Sequence, residues 1–254
     1  GSSVLDIKKG EADLSRRALM YMMQGLSFRE YLQLFEGIKT RVFSLDEILN
    51  HQVEIPGLDH PLPVFRAYLD HGYYPFAIEG DFTQRMLQVI DQTVEVDIPQ
   101  YADMKASTAR KLKRMLVILS GLAPYKPSVE NLATEIGVSK NNVPDYLVYL
   151  ERAGMIGLLR DDTSGMRNLG KVEKVYVDNP SLMSVLTSNP SIGNIRETFF
   201  YNQIREIGDY TFEIGGRKKG KKQIEDVKNG RIVKDDIETG HGIIIPLWYF
   251  GMNY

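Results

Sequence analysis

Apolar residues fall on helical faces almost from the start of the chain. Leu14, Ala18, Leu19 and Met22 share one face, and Ser27 stands before Phe28-Arg29-Glu30-Tyr31-Leu32 with Glu30 three residues on. That spacing predicts a capping box, in which serine and glutamate satisfy two free N–H groups of a new helix. Pro56, Gly57, Pro61 and Pro63 interrupt the pattern and predict a loop from Ile48 to Pro63. Val64 to His71 reads as a short helix, stopped by Gly72 and the turn Tyr73-Tyr74-Pro75. Asp81 is placed to cap a helix whose apolar face is Met86, Leu87, Ile90 and Val94. Ser107 to Leu122 predicts another, with Leu112, Leu116 and Leu119 inward; Arg110, Lys111, Lys113 and Arg114 are left for the surface. Gly121 and Pro124 end it.

After Pro127 the periodicity becomes more specific. Ser128 caps a helix with Val129, Leu132, Ala133 and Ile136 on one face, and Gly137-Val138-Ser139 makes a tight turn. A second helix places Val143, Leu147 and Leu150 inward and ends near Gly154. Strand-like runs follow at Met155 to Leu159 and Val172 to Val177, joined by the polar segment Asp161 to Lys171. Helix, turn, helix and a two-stranded wing predict a winged helix-turn-helix. Beyond Asn179-Pro180, a helix from Ile192 to Ile207 leads to the alternating strand Tyr210 to Ile214, then to Ile232-Val233 and the run from Ile243 to Phe250. Helices and strands mixed in this way predict a small α/β module, so the expected class is mixed α/β.

Composition narrows the partners. The 254 residues carry 31 Lys and Arg against 33 Asp and Glu, a net charge of -2, so any charged partner must meet a local patch. There is no cysteine, which excludes disulfides and thiolate metal sites and suits the cytoplasm. His51, His60, His71 and His241 are scattered without ligand spacing. No apolar run nears the roughly 20 residues that span a bilayer, so no membrane partner is expected. The chain begins Gly1-Ser2-Ser3, which reads either as a scar of tag removal or as the interior of a longer protein.

Two stretches carry candidate chemistry. In helix-turn-helix proteins the start of the second helix meets base edges, and here it offers Lys140, Asn141 and Asn142. Asparagine can read adenine bidentately, and lysine can meet guanine or phosphate. Against this, Lys126 to Arg160 holds four basic and four acidic residues, and Pro144 delays the first full turn because it donates no backbone hydrogen bond. Protein contact or a spacer role is the open alternative. The second stretch, Arg217 to Lys234, carries eight basic and two acidic residues, and its Lys218, Lys219, Lys221 and Lys222 are candidate phosphate contacts. The Walker pattern of a phosphate loop occurs nowhere. A metal-dependent nuclease would use strand-end carboxylates and a lysine; Glu197, Glu213 and Lys218 are the nearest candidates. No aspartate takes a convincing strand position beside them, so cleavage is not expected and no metal site is assigned.

Several collinear segments resemble a known family. These are GSSVLDIKKGEADLSRRALMYMMQGLSFREYL, the turn HGYYPF, VEVDIPQYADMKASTARKLKRML, the winged-helix stretch, KVEKVYVDNPSLM, NIRETFFYNQIR and FEIGGRKKGKKQI with the closing IPLWYFGMNY. Together they resemble prokaryotic AAA-type P-loop ATPases that carry a C-terminal winged helix and a module similar to the PD-(D/E)XK nuclease fold. The likeness implies that residues 1–45 are a remnant of the ATPase core, 46–106 a helical lid or linker, 107–180 the winged helix and 181–254 the nuclease-like module. It implies that Ser2 and Ser3 are sensor-like and that Arg16 or Arg17 resembles an arginine finger of the same or a neighbouring subunit in a homo-oligomer. ATP and magnesium would need Walker motifs upstream of Gly1. Between Ile207 and Gly208 the family pattern would supply a further strand with an Asp-Phe pair, and another gap is expected near Leu58 to Pro61. The expected role is the C-terminal portion of an ATP-hydrolysing protein acting in the cytoplasm on DNA or a partner protein. A non-enzymatic winged-helix DNA-binding regulator is the alternative.

Overall fold

A computed structural model describes residues 23–160, 172–204, 207–224 and 226–254. The chain begins there with helix α1, Phe28–Phe35, and α2, Leu45–Leu49. Helix α3, Pro61–Ala67, continues into a π-helical turn, Tyr68–Gly72. Next come α4, Phe82–Asp91, a second π-helical segment at Gln92–Asp97, α5, Ile98–Ala102, and α6, Ala106–Leu122. Helices α7, Val129–Ile136, and α8, Val143–Arg152, precede the strands β1, Ile156–Arg160, and β2, Val172–Val177. The chain closes with α9, Pro180–Leu186, α10, Ile192–Gln203, and the strands β3, Thr211–Gly215, β4, Gly230–Lys234, and β5, Ile244–Pro246. The class is mixed α/β, and no helix among the described residues is long and apolar enough to cross a membrane.

The chain forms two compact units. One is built on Asp81–Asn189; the other joins Gly25–Gly80 to Pro190–Tyr254. In the second of these, Val233 of β4 and Ile245 of β5 share one core with Phe28, Ile48 and Phe65 of helices far away in the chain, a relation that linear periodicity does not encode.

In the helical unit, Met86, Ile90 and Val94 form a buried stripe at four-residue intervals, and Leu112, Met115, Leu116 and Leu119 of α6 are buried as well. Leu87 was expected on that stripe but is 44% exposed: it stands about 100° around the helix from Met86. Asp81 does precede α4, but with φ 50° and no side-chain cap; aspartate tolerates this left-handed conformation better than most residues. Strands β1 and β2 pair antiparallel, Ile156 with Val177 and Leu158 with Val175, and Tyr125 adds a bridge to Val175.

The second unit contains the parallel sheet β3-β4-β5 and an aromatic core. Phe28 meets Phe65 edge-on at 5.3 Å, Phe65 meets Phe199 at 4.8 Å, and Phe200 meets Phe250 at 4.8 Å. Gly72 admits this packing, since a Cβ there would come within 2.6 Å of the Tyr31 and Tyr68 rings. The expected loop from Ile48 to Pro63 is shorter than its prolines suggest. Pro61 lies in the first turn of α3, where its missing N–H costs nothing, and Ser44 with Glu47 forms a capping box for α2.

The capping box of α1 forms as its spacing predicts, with Ser27 N–H donating to Glu30 Oε2 at 2.9 Å and Glu30 N–H to Ser27 Oγ at 3.2 Å. The Ser27 hydroxyl also donates to the Tyr254 carbonyl at 2.9 Å. Replacing a buried serine that serves both ends of its unit is expected to cost about 1–2 kcal/mol. Urea denaturation of Ser27→Ala should show a lower midpoint with an unchanged slope; an unaltered midpoint would mean that the cap contributes nothing.

Candidate nucleic-acid interface

The polar turn of the helical unit is set by backbone chemistry. Ser128 Oγ accepts from Asn131 N–H to start α7, and Gly137 ends it in the left-handed region at φ 67°, a conformation that glycine adopts without penalty. Lys111 Nζ of α6 donates to the Gly137 carbonyl at 2.6 Å and holds the turn down. A single 3-10 turn, Lys140–Asn142, then precedes α8, whose second position is Pro144. Val143, Tyr146, Leu147 and Leu150 face inward, leaving Lys140, Asn141 and Asn142 exposed together at the start of the helix. One turn later Asp145 is also exposed. At the far end, Arg152 Nη1 donates to Tyr101 Oη at 3.0 Å and the Tyr101 ring meets Tyr149 at 6.4 Å. The outer face of α8 is therefore open at its N-terminal end and partly covered at its C-terminal end. Of the α6 basic residues, Lys113 pairs with Asp91 and Glu95, while Arg110 and Arg114 are exposed.

The other candidate residues lie in the second unit. Glu213 stands on β3, but its ion-pair partner is Lys219, not Lys218, which is exposed. In the expected nuclease pattern, Glu-x-Lys, a single residue separates the strand-end carboxylate from its lysine, whereas Ile214 to Lys218 separate Glu213 from Lys219; here the turn folds Lys219 back across Gly215, where a Cβ would lie 2.7 Å from Lys219 Cγ. Glu197 is half-buried on α10, the helix that packs on β3. Among the described residues no three His, Asp or Glu side chains gather as a metal site. Lys221 and Lys222 are exposed, and Arg217 lines an open cavity of about 440 Å³ with Leu62, Asp236, Ile237, Glu238 and Thr239. Ser2, Ser3, Arg16 and Arg17 lie outside the described residues, as does the segment 161–171.

A family model described as "Domain of unknown function (DUF8612)" matches residues 63–192, about half of the chain. An "Uncharacterized protein MJ1637" of Methanocaldococcus jannaschii is 25% identical over 190 residues. The match covers 69% of this chain and 39% of that protein, so the chain spans about two fifths of the relative's length. No solved structure matches significantly.

Sequence reasoning missed the most buried charge among the described residues of the second unit. Asp235, 1% exposed, follows β4 and accepts from Arg66 Nη2 at 2.8 Å and Arg196 Nε at 2.7 Å. Asp236 engages the same two guanidinium groups. The one available signal was Lys234-Asp235-Asp236 closing an apolar strand; nothing in the local sequence marks Arg66 as the partner. Burial alone would raise the Asp235 carboxyl, but hydrogen bonds from Arg66 and Arg196 outweigh it and hold the group below its ordinary value. Since the folded pKa is depressed, its stabilisation is present above the unfolded value of about 3.9 and is lost as pH falls through the folded one. Asp235→Asn is expected to destabilise the protein by about 3 kcal/mol at neutral pH, because it leaves both arginines short of a counter-charge. In urea denaturation the gap from wild type should narrow below about pH 4; a gap that is constant with pH would rule out the ionic account.

Proposed function

This chain belongs to the family of domains of unknown function DUF8612, and from that footing we propose that it is the post-motor part of an AAA-type, ATP-hydrolysing protein whose winged helix contacts DNA. The observation that carries the DNA reading is the exposed Lys140–Asn142 turn at the head of α8. It follows a helix and a glycine turn and precedes an antiparallel strand pair. In such an arrangement the start of the second helix approaches the major groove. Asp145 would repel phosphate, and Arg152 is already engaged by Tyr101. Base reading therefore falls to three residues, and the expected sequence preference is modest.

In this reading ATP and magnesium are held by Walker motifs of the longer polypeptide. Ser2 and Ser3 act as sensors and Arg16 or Arg17 as the arginine finger, within a cytoplasmic homo-oligomer. The sheet unit is a nuclease-like binding module rather than a cleaving one, which the engagement of Glu213 by Lys219 supports.

Fluorescence anisotropy with labelled duplex DNA tests the α8 contact. The combined Lys140→Ala, Asn141→Ala and Asn142→Ala substitution should weaken binding by roughly tenfold or more, since each good base contact contributes about 1–3 kcal/mol of discrimination. Unchanged affinity would remove α8 from the interface. For the motor assignment, the natural full-length protein should bind magnesium-ATP; failure to do so would favour the regulator that works without nucleotide.

A further inference from the structure

We propose that the connection between β3 and β4 is a second nucleic-acid surface, one that holds the phosphodiester backbone without reading sequence. The proposal rests on the DNA-binding reading above but uses a different unit and a different kind of contact.

A parallel strand pair is ordinarily joined through a crossover helix that covers the sheet. Strands β3 and β4 are parallel, yet the described residues between Gly216 and Gly230 run through successive turns. Lys219 N–H donates to the Gly216 carbonyl at 2.9 Å, Ile224 N–H to Lys221 at 3.0 Å, Val227 N–H to Ile224 at 3.1 Å and Gly230 N–H to Val227 at 3.0 Å. The segment is pinned from beneath. Ile224 is buried and sits so close to Gly230 that a Cβ there would lie 2.4 Å from Ile224 Cγ1. Lys219 braces Glu213 and reaches Gln223 Oε1 at 2.7 Å. Lys234 Nζ donates to the Arg217 carbonyl at 3.2 Å.

Lys219 is thus a half-buried strut, already engaged by Glu213 and Gln223. What the pinned turn presents is the side chains of Lys218, Lys221 and Lys222, all exposed, none of them in an ion pair or side-chain hydrogen bond among the described residues. Three exposed like charges within five residues make a local positive field that a polyanion can meet. A nucleic-acid strand does so, with a phosphate for every ~3.4 Å of helix axis. The stretch from Gly216 to Ile224 contains no aromatic residue, so it lacks the stacking platform by which proteins grip unpaired bases. The surface therefore fits backbone charge alone.

The test is binding of labelled duplex DNA of two unrelated sequences across a salt series, by wild-type protein, by Lys218→Gln/Lys221→Gln/Lys222→Gln, and by the α8 triple alanine variant. The lysine variant should lose affinity by roughly tenfold or more for both sequences, and its log-log salt slope should flatten by about 2–3, near 0.9 per lost phosphate contact. Loss in the α8 variant with none in the lysine variant would overturn this inference and leave the α8 reading standing. Loss in the lysine variant alone would uphold the inference and remove α8. No loss in either would end both. Because the three lysines are exposed, the lysine variant should keep the wild-type urea midpoint, and a lowered midpoint accompanied by an unchanged salt slope would also count against the proposal.

Discussion

A carboxylate removed from water must be met by positive charge, and in the second unit that requirement is borne by Asp235. It sits at the end of the central strand β4, and its partners come from two distant parts of the sequence: Arg66 on α3 and Arg196 on α10. A buried pair adds little net stability over apolar packing, but an unpaired charge is strongly disfavoured. Asp235 therefore penalises any arrangement in which α3 and α10 are not both brought to the strand end. The aromatic core around Phe28, Phe65 and Phe199 rewards the same arrangement by burial. One device specifies the packing, and the other supplies the driving force.

The helical unit relies on a different constraint. The chain must reverse between α7 and α8 within a few residues, and Gly137 makes this possible without strain. Lys111 then fixes the glycine carbonyl from α6, and Arg160 of β1 pairs with Glu151 of α8 at 2.7 Å. These contacts tie the turn, the helix and the strand pair together. They also consume charges that a sequence reading counts as surface. The basic residues of this unit are in good part structural, and its polar face is narrower than its composition suggests.

What was legible in the sequence was local. The Ser27-Glu30 capping box, the Ser128 cap, the Gly137 turn and the inner faces of α6, α7 and α8 all depend on neighbours within a turn or two, which periodicity and capping chemistry report directly. The runs Met155 to Leu159, Val172 to Val177 and Ile232-Val233 were likewise visible, and β1, β2 and β4 lie on them. The errors arose where distant residues decide the outcome. Proline at the start of α3 looked like loop because proline marks turns and first helical positions alike. Lys218 was preferred to Lys219 because spacing along the chain was the only guide, whereas the turn's fold chooses the lysine that reaches Glu213. The pairing of Arg66 with Asp235, 169 residues apart, left no trace in either local pattern.

The charge layout separates two demands that a DNA-binding protein must reconcile. Reading bases needs few, well-placed groups whose misplacement is costly; backbone affinity needs charge, and tolerates imprecise geometry. In the proposed reading these demands fall on different units. The stretch from Lys126 to Arg160 balances its charges and supplies little nonspecific attraction, so the Lys140–Asn142 turn is not overwhelmed by phosphate binding. The basic turn of the sheet unit has the opposite character: exposed lysines on a braced backbone, whose charge meets phosphate without demanding a fixed geometry. Keeping the net charge of the whole chain at -2 confines attraction to that one surface, because a distributed positive field would pull every face toward the polyanion. A protein arranged in this way would lose most of its affinity to salt and little of its selectivity.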